Sequence, residues 1–144
     1  MQSDVEYVAI FLQGGHGAML GLPESDDLKK VTHWSIEQDK YILAICHGKA
    51  ALLAAAYNEA PENFPYKDYQ IISFPDVIDT QIPVIGYVPG EMPWFYGEKL
   101  EALGIEILNI DISGACHTHR KLVTGDSPLA TNNFGEMSAE VLLK

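Results

Sequence analysis

Short apolar runs that stop abruptly at glycine, cysteine or proline organise this chain. Val8 to Leu12 is uninterrupted and apolar, and it ends at Gln13-Gly14-Gly15-His16-Gly17. Tyr41 to Ile45 is a second such run, ending at Cys46-His47-Gly48. Tyr69 to Phe74 is a third, ending at Pro75-Asp76. Runs of this length without alternation predict strands buried on both faces. Between them the period changes. Leu28, Val31, Trp34 and Ser35 share a helical face behind the cap and first-turn acids of Pro23-Glu24-Ser25-Asp26-Asp27. Lys49 to Tyr57 and Trp94 to Leu103 predict two more helices, the latter stopped by Gly104. Asn58 to Asp68 predicts a loop, Ile82 to Gly90 an irregular segment, Ile105 to Ile110 a strand and Asp111 to His119 a turn-rich excursion. Lys121 to Thr124 predicts a short strand. Ser127-Pro128 opens a last helix that reaches about Leu143.

Strands alternating with helices predict a parallel α/β sheet in one domain spanning residues 1–144. Ligands of such sheets bind beyond the carboxyl ends of the strands. Three features converge there: the glycine turn, Cys46-His47 and Pro75-Asp76.

Charge and cysteine count narrow the classes. A formal net charge of −11 opposes binding to nucleic acid and to anionic membranes. Two distant cysteines, Cys46 and Cys116, make a disulfide framework improbable and suggest a reducing compartment. The polar start, Met1 to Glu6, carries no signal-peptide pattern, and no apolar run approaches membrane-spanning length. The expected location is the cytoplasm.

The strand–Cys46–turn–helix pattern predicts a nucleophile elbow, with a helix N-terminus behind the sulfur favouring thiolate. Backbone amides of Gly14, Gly15, His16 and Gly17, with that of His47, are candidates for an oxyanion hole. His47 is either a base or a donor through its amide alone. Asp76 and Asp79 are both candidates to orient a histidine. Cys116-His117-Thr118-His119 has metal-like composition, but a strand would split its side chains between two faces, and Arg120-Lys121 disfavours a cation. No metal and no cofactor is expected.

These residues carry a resemblance. Gly14-Gly15-His16-Gly17-Ala18 with Gly21 to Ser25, Cys46-His47-Gly48, and Phe74-Pro75-Asp76 with Asp79 resemble the DJ-one/PfpI superfamily. So do Ile85 to Gly90 and Arg120 to Pro128. Within it the chain is similar to the heat-shock chaperones also known as glyoxalase III or protein deglycases. The resemblance implies a class I glutamine amidotransferase-like (flavodoxin-like) three-layer fold lacking its N-terminal strands, as if this were the C-terminal half. It implies Cys46 as nucleophile, His47 as its partner and Asp79 as the orienting acid. It implies glutathione-independent conversion of methylglyoxal to lactate, repair of glycated protein, and holdase activity. A glutamate beside the sulfur and the family's metal ligands have no counterpart here, and Lys49 stands where a proline is usual.

Two rival readings remain: an inactive fragment or chaperone-type binding protein, and a cysteine aminopeptidase. The expected partners are a small aldehyde or glycated protein, and a second copy or a missing N-terminal half. The isolated chain is expected to associate rather than act as an active monomer.

Overall fold

The computed structural model describes residues 6–144. The leader-free reading of the first residues therefore lies largely outside the described part. In chain order the regular elements are β1 (Ala9–Leu12), α1 (Asp26–Glu37), β2 (Tyr41–Ile45), β3 (Gln70–Ile71), α2 (Asp76–Asp79), α3 (Tyr96–Ala102), β4 (Glu106–Ile107), β5 (Cys116–His119), β6 (Leu122–Gly125) and α4 (Thr131–Leu142). Between β2 and β3 lies the elbow helix, Cys46–Ala56, wound as a 3₁₀ helix.

One sheet has the order β1-β2-β6-β5. β1, β2 and β6 are parallel, with Leu12 opposite Ala44 and Ala44 opposite Thr124. β5 runs antiparallel to β6. Phe11, Ile45 and Gly125 face α4, where Phe134 meets Phe11 at 6.0 Å between rings. α1 packs on the elbow helix, which is buried from Cys46 through Ala55. Ser25 caps α1 by accepting from the Leu28 amide, as its sequence predicts. Gly104 closes α3 at φ 93°, a left-handed position that favours glycine.

Four expectations need correction. β1 is the sheet edge, not a strand buried on both faces: Phe11 and Val8 are each 57% exposed. Residues 116–119, expected as part of a turn-rich excursion, form a strand. Their mixed Cys-His-Thr-His pattern shows no apolar run because β5 is an outer strand of intermediate burial. The third strand is only two residues long and pairs with an equally short β4. Beyond Ile71 the backbone turns to side chains for its bonds. Ile72 N–H donates to Thr124 Oγ1, Ser73 N–H to Asn109 Oδ1, and Phe74 N–H to the Tyr96 hydroxyl. Side-chain acceptors thus satisfy the amides a longer ladder would have used.

The fourth correction concerns the elbow helix, which begins at Cys46 itself and is long for its type. Its small alanines allow close approach. A methyl on Gly48 would lie 2.2 Å from the Leu12 carbonyl oxygen, so only glycine fits where this helix crosses the end of β1.

Candidate active site

Cys46 occupies the left-handed region at φ 53°, directly after extended Ile45. A non-glycine residue there is strained, and such strain concentrates at functional turns. The fold holds it by close packing of the glycine turn. A methyl on Gly14 would lie 2.7 Å from Ile45 O and 2.8 Å from Cys46 Cβ. The glycine turn therefore presses against the Cys46 backbone.

The side chain of His47 turns back towards the sulfur, with Nδ1 3.2 Å from Cys46 Sγ. Its Nε2 lies 3.0 and 2.9 Å from the two carboxylate oxygens of Asp79. His47 and Asp79 are both buried. This resolves the choice at His47: the ring, not only the amide, reaches Cys46. Burial alone would raise the Cys46 thiol, but the hydrogen bond and charge of His47 more than offset it and hold the thiol below its usual range. Burial pulls His47 down, but Asp79 and Cys46 more than offset this and raise it to about 9. The geometry favours a thiolate–imidazolium pair braced by a carboxylate.

The glycine turn divides. Gly14, Gly15 and His16 line the cleft with Cys46, whereas Gly17 lies in the His16–Met19 turn leading away from it. Sequence reasoning missed the His16 ring. Its Nε2 lies 3.2 Å from Asp79 Oδ1, and the ring stacks on His47 at 4.0 Å between centroids. Asp79 thus serves two histidines. Donor atoms of His16, His47 and Asp79 lie within 4.8 Å of one another, a spacing open to a metal ion, but here they are engaged in hydrogen bonds. The histidine in Gly-Gly-His-Gly was the available signal.

Tyr96 was also missed, because an aromatic run reads as core. Its buried hydroxyl accepts from Phe74 N–H, lies 2.6 Å from Ser73 Oγ, and places the ring 5.4 Å from that of His47. Phe74 packs on His47 from 4.7 Å. The cleft above Cys46 measures about 480 Å³ and is walled mainly by apolar groups, among them Ile45, Ile78, Ile82, Ile85 and Ile112.

Asp76 has a different task. Its carboxylate accepts from the amides of Gly97 and Glu98, capping α3. Burial pushes it up, partly offset by those amides. Asp76→Ala should cost about 1 kcal/mol, the usual cost of a lost cap, in urea unfolding. The alkylation rate of Cys46 should stay unchanged; a parallel fall would place Asp76 in the site.

Residues Cys116, His117 and His119 do not converge on a common point. His119 Nδ1 accepts from the Gln70 amide, Cys116 Sγ lies 3.7 Å from Ala130 O, and His117 Nε2 is buried without a partner among the described residues. Lys49 is fully buried and donates to Gly125 O at 2.6 Å.

No family model matches the chain. Among curated proteins it is 49% identical over 142 residues to the Protein/nucleic acid deglycase HchA of Pseudomonas aeruginosa, covering 98% of this chain and 49% of that protein. It is 46% identical over 143 residues to the Escherichia coli protein of the same name, covering 99% and 49%. The chain thus spans about half the length of these relatives. Among solved structures, the Francisella tularensis Rapid Encystment Protein superposes with TM-score 0.77 at 22% identity, covering 96% of this chain and 61% of that one. Glyoxalase III of Candida albicans superposes with TM-score 0.71 at 22% identity, covering 94% and 58%. Over nearly its whole length the chain is a homologue of the HchA deglycases, with the fold of the DJ-one/PfpI superfamily.

Proposed function

We propose that this chain carries out glyoxalase III- or deglycase-type chemistry on α-oxoaldehydes, with Cys46 as nucleophile and neither glutathione nor a metal. The observation that carries this reading is the Cys46–His47–Asp79 relay at the floor of the apolar cleft. The names of the relatives support the substrate class. They also include nucleic acid, which sits against the exclusion drawn from the charge of −11.

The Cys46 thiolate adds to the aldehyde carbon of methylglyoxal, and His47 Nδ1 gives its proton to the new oxygen. Hydrogen then moves from C1 to C2, leaving a lactyl thioester on Cys46. Amides lining the cleft at Gly14, Gly15 and His47 hold the oxyanions. Water attacks the thioester, His47 takes its proton, and lactate leaves as the thiolate is restored. A glycated side chain would enter the same cycle when the thiolate takes the hemiaminal carbon, the carbon–nitrogen bond breaks and His47 gives its proton to the leaving amine.

The test is lactate formation from methylglyoxal in chelator without glutathione. The chain is assayed alone and with the N-terminal half of the Pseudomonas relative added. Lactate should form in at least one mixture and vanish in Cys46→Ser. Asp79→Asn should lower the rate about 100-fold, whereas Asp76→Ala should not. No lactate in either mixture, with Cys46 intact and reactive, overturns the reading.

A second reading, a holdase that pairs through its open edge, is favoured by exposed Phe11 on β1 and Val8 just before it, and by Val84, Ile85 and Tyr87 on the 82–90 segment. Sedimentation separates it from a lone monomer: a compact single chain at micromolar concentration removes its basis. The cytoplasm suits the free thiols. No helix among the described residues is long and apolar enough to cross a membrane.

A further inference from the structure

Among the described residues, His16, His47 and Asp79 form the one group of three histidine, cysteine or carboxylate donors drawn within 4.8 Å of one another. Hydrogen bonds hold them together, with His16 Nε2 3.2 Å from Asp79 Oδ1 and His47 Nε2 2.9 Å from Oδ2. We propose that this cluster is an inhibitory site for a divalent ion of the zinc class, which binds by taking the place of the shared protons. The site stands on its own geometry, whereas its effect on turnover rests on the glyoxalase-type reading.

The spacing suits such an ion. Bonds of about 2.0–2.1 Å in a tetrahedral shell set neighbouring nitrogen and oxygen donors roughly 3.3 Å apart. Both histidine–carboxylate pairs already lie within a few tenths of an ångström of that separation. Two imidazoles and one carboxylate are a donor set that zinc and cobalt take readily. Water completes the shell. Asp79 lines a cavity of about 250 Å³ with Thr80 and Glu91, which has room for it. His16 lines the cleft with its side chain 25% exposed, so it is the ligand that a dissolved ion meets first.

Charge and tautomer agree with this occupant. The Cys46 thiolate, the His47 imidazolium and the Asp79 carboxylate sum to one negative charge. The ion displaces the Nε2 proton of His47 to solvent, and the sum becomes zero. His47 keeps its Nδ1 proton, which faces Cys46 Sγ at 3.2 Å. The thiolate then serves as the outer partner that orients a metal-bound ring. Sulfur stays outside the shell, because it meets Nδ1 while the ion takes Nε2. A metal-bound neutral imidazole is a much poorer acid than imidazolium, so the proton donor of the cycle above is lost and turnover stops. Cys46 keeps both its thiolate and its access.

Cobalt(II) tests the site on the chain alone, first freed of metal with chelator and dialysed. One cobalt per chain should give the intense visible bands of a tetrahedral ion, with no sulfur-to-cobalt band in the near ultraviolet, and zinc should erase them. His16→Gln and His16→Ala, checked for fold by circular dichroism, should each weaken binding by more than about 100-fold, beyond what loss of an outer partner costs. Cys46→Ser, Cys116→Ser and His119→Gln should keep it. Iodoacetamide should label Cys46 in the zinc-bound chain within about two-fold of the metal-free rate. Weak octahedral bands, a sulfur-to-cobalt band, or undiminished binding by the His16 variants overturns the site and leaves the nucleophile reading standing. In the preparation that forms lactate, zinc should stop turnover and chelator restore it, and His16→Gln should need about 100-fold more zinc for the same inhibition. Turnover that persists with zinc bound overturns the inhibitory role. Absence of lactate from the metal-free wild type overturns the glyoxalase reading instead, and the cobalt spectra still decide the site.

Discussion

Iodoacetamide at pH 6 should label Cys46 about 100-fold faster than Cys116, read by peptide mass. The magnitude is the scale on which a thiolate favoured by a histidine partner outreacts an ordinary thiol, tempered by the lower nucleophilicity of a more acidic thiol. The two sulfurs are pushed in opposite directions. Burial and the charge of Asp126 raise the Cys116 thiol. At Cys46 burial also raises, but the His47 bond and charge prevail. His47→Gln should remove the difference. The pH profile should show a plateau. It begins where the lowered Cys46 thiol ionises and ends near pH 9, where His47 loses its proton. Stability follows the same limits. The raised His47 contributes fully below its ordinary value of 6.5, and that part is lost as pH rises through about 9. The lowered Cys46 contributes above its ordinary value of 9.0, and that part is lost as pH falls through its folded value. Equal labelling of the two cysteines at pH 6 would remove the elbow from consideration.

Lys49→Met should stabilise the chain at neutral pH. Lys49 is fully buried, has one acceptor in Gly125 O, and has no ion-pair partner among the described residues. Burial pulls its amine from 10.5 to about 7. Between those values the unfolded chain binds a proton that the folded chain does not. Stability therefore rises with pH across that window, and at pH 7 the cost is on the order of 5 kcal/mol. Methionine has similar length and no charge to bury, but it leaves the Gly125 carbonyl without this donor, a loss of about 1 kcal/mol. The net gain should exceed about 2 kcal/mol at pH 7 and shrink by pH 10, measured as the difference in urea midpoints between variant and wild type at each pH. A gain that is the same at both pH values would show that Lys49 carries its charge in the fold.

Much of this was legible in the chain because glycine, cysteine and proline mark the strand ends. Cys46-His47-Gly48 after an apolar run announces the elbow, and Ser25 and Ser127 announce helix starts. What escaped depends on contacts distant in sequence. No local pattern shows that β1 lies at an edge, since the apolar run Val8 to Leu12 would read the same in the middle of a sheet. The shortness of β3 follows from Thr124, Asn109 and Tyr96 supplying bonds from three other parts of the chain. The preference of His47 for Asp79 over Asp76 is similar. Residues 76 and 79 lie one helical turn apart, and only the docking of α3 commits Asp76 to the Gly97 and Glu98 amides. His16 sits 63 residues from Asp79, and Gly-Gly-His-Gly alone reads as a source of amides.

The left-handed backbone at Cys46 sets folding against chemistry. An L-residue in that region carries roughly 1 kcal/mol of strain, which glycine would not. Cys46→Gly would relieve that strain but would also empty a buried position and remove the sulfur that helps hold His47 charged, so the opposing effects largely cancel and a heat screen alone would scarcely register the loss of the sulfur. Abundance and thermal tolerance are therefore poor proxies for fitness in variants of this chain, and the sulfur at position 46 persists only under a selection that demands what it does.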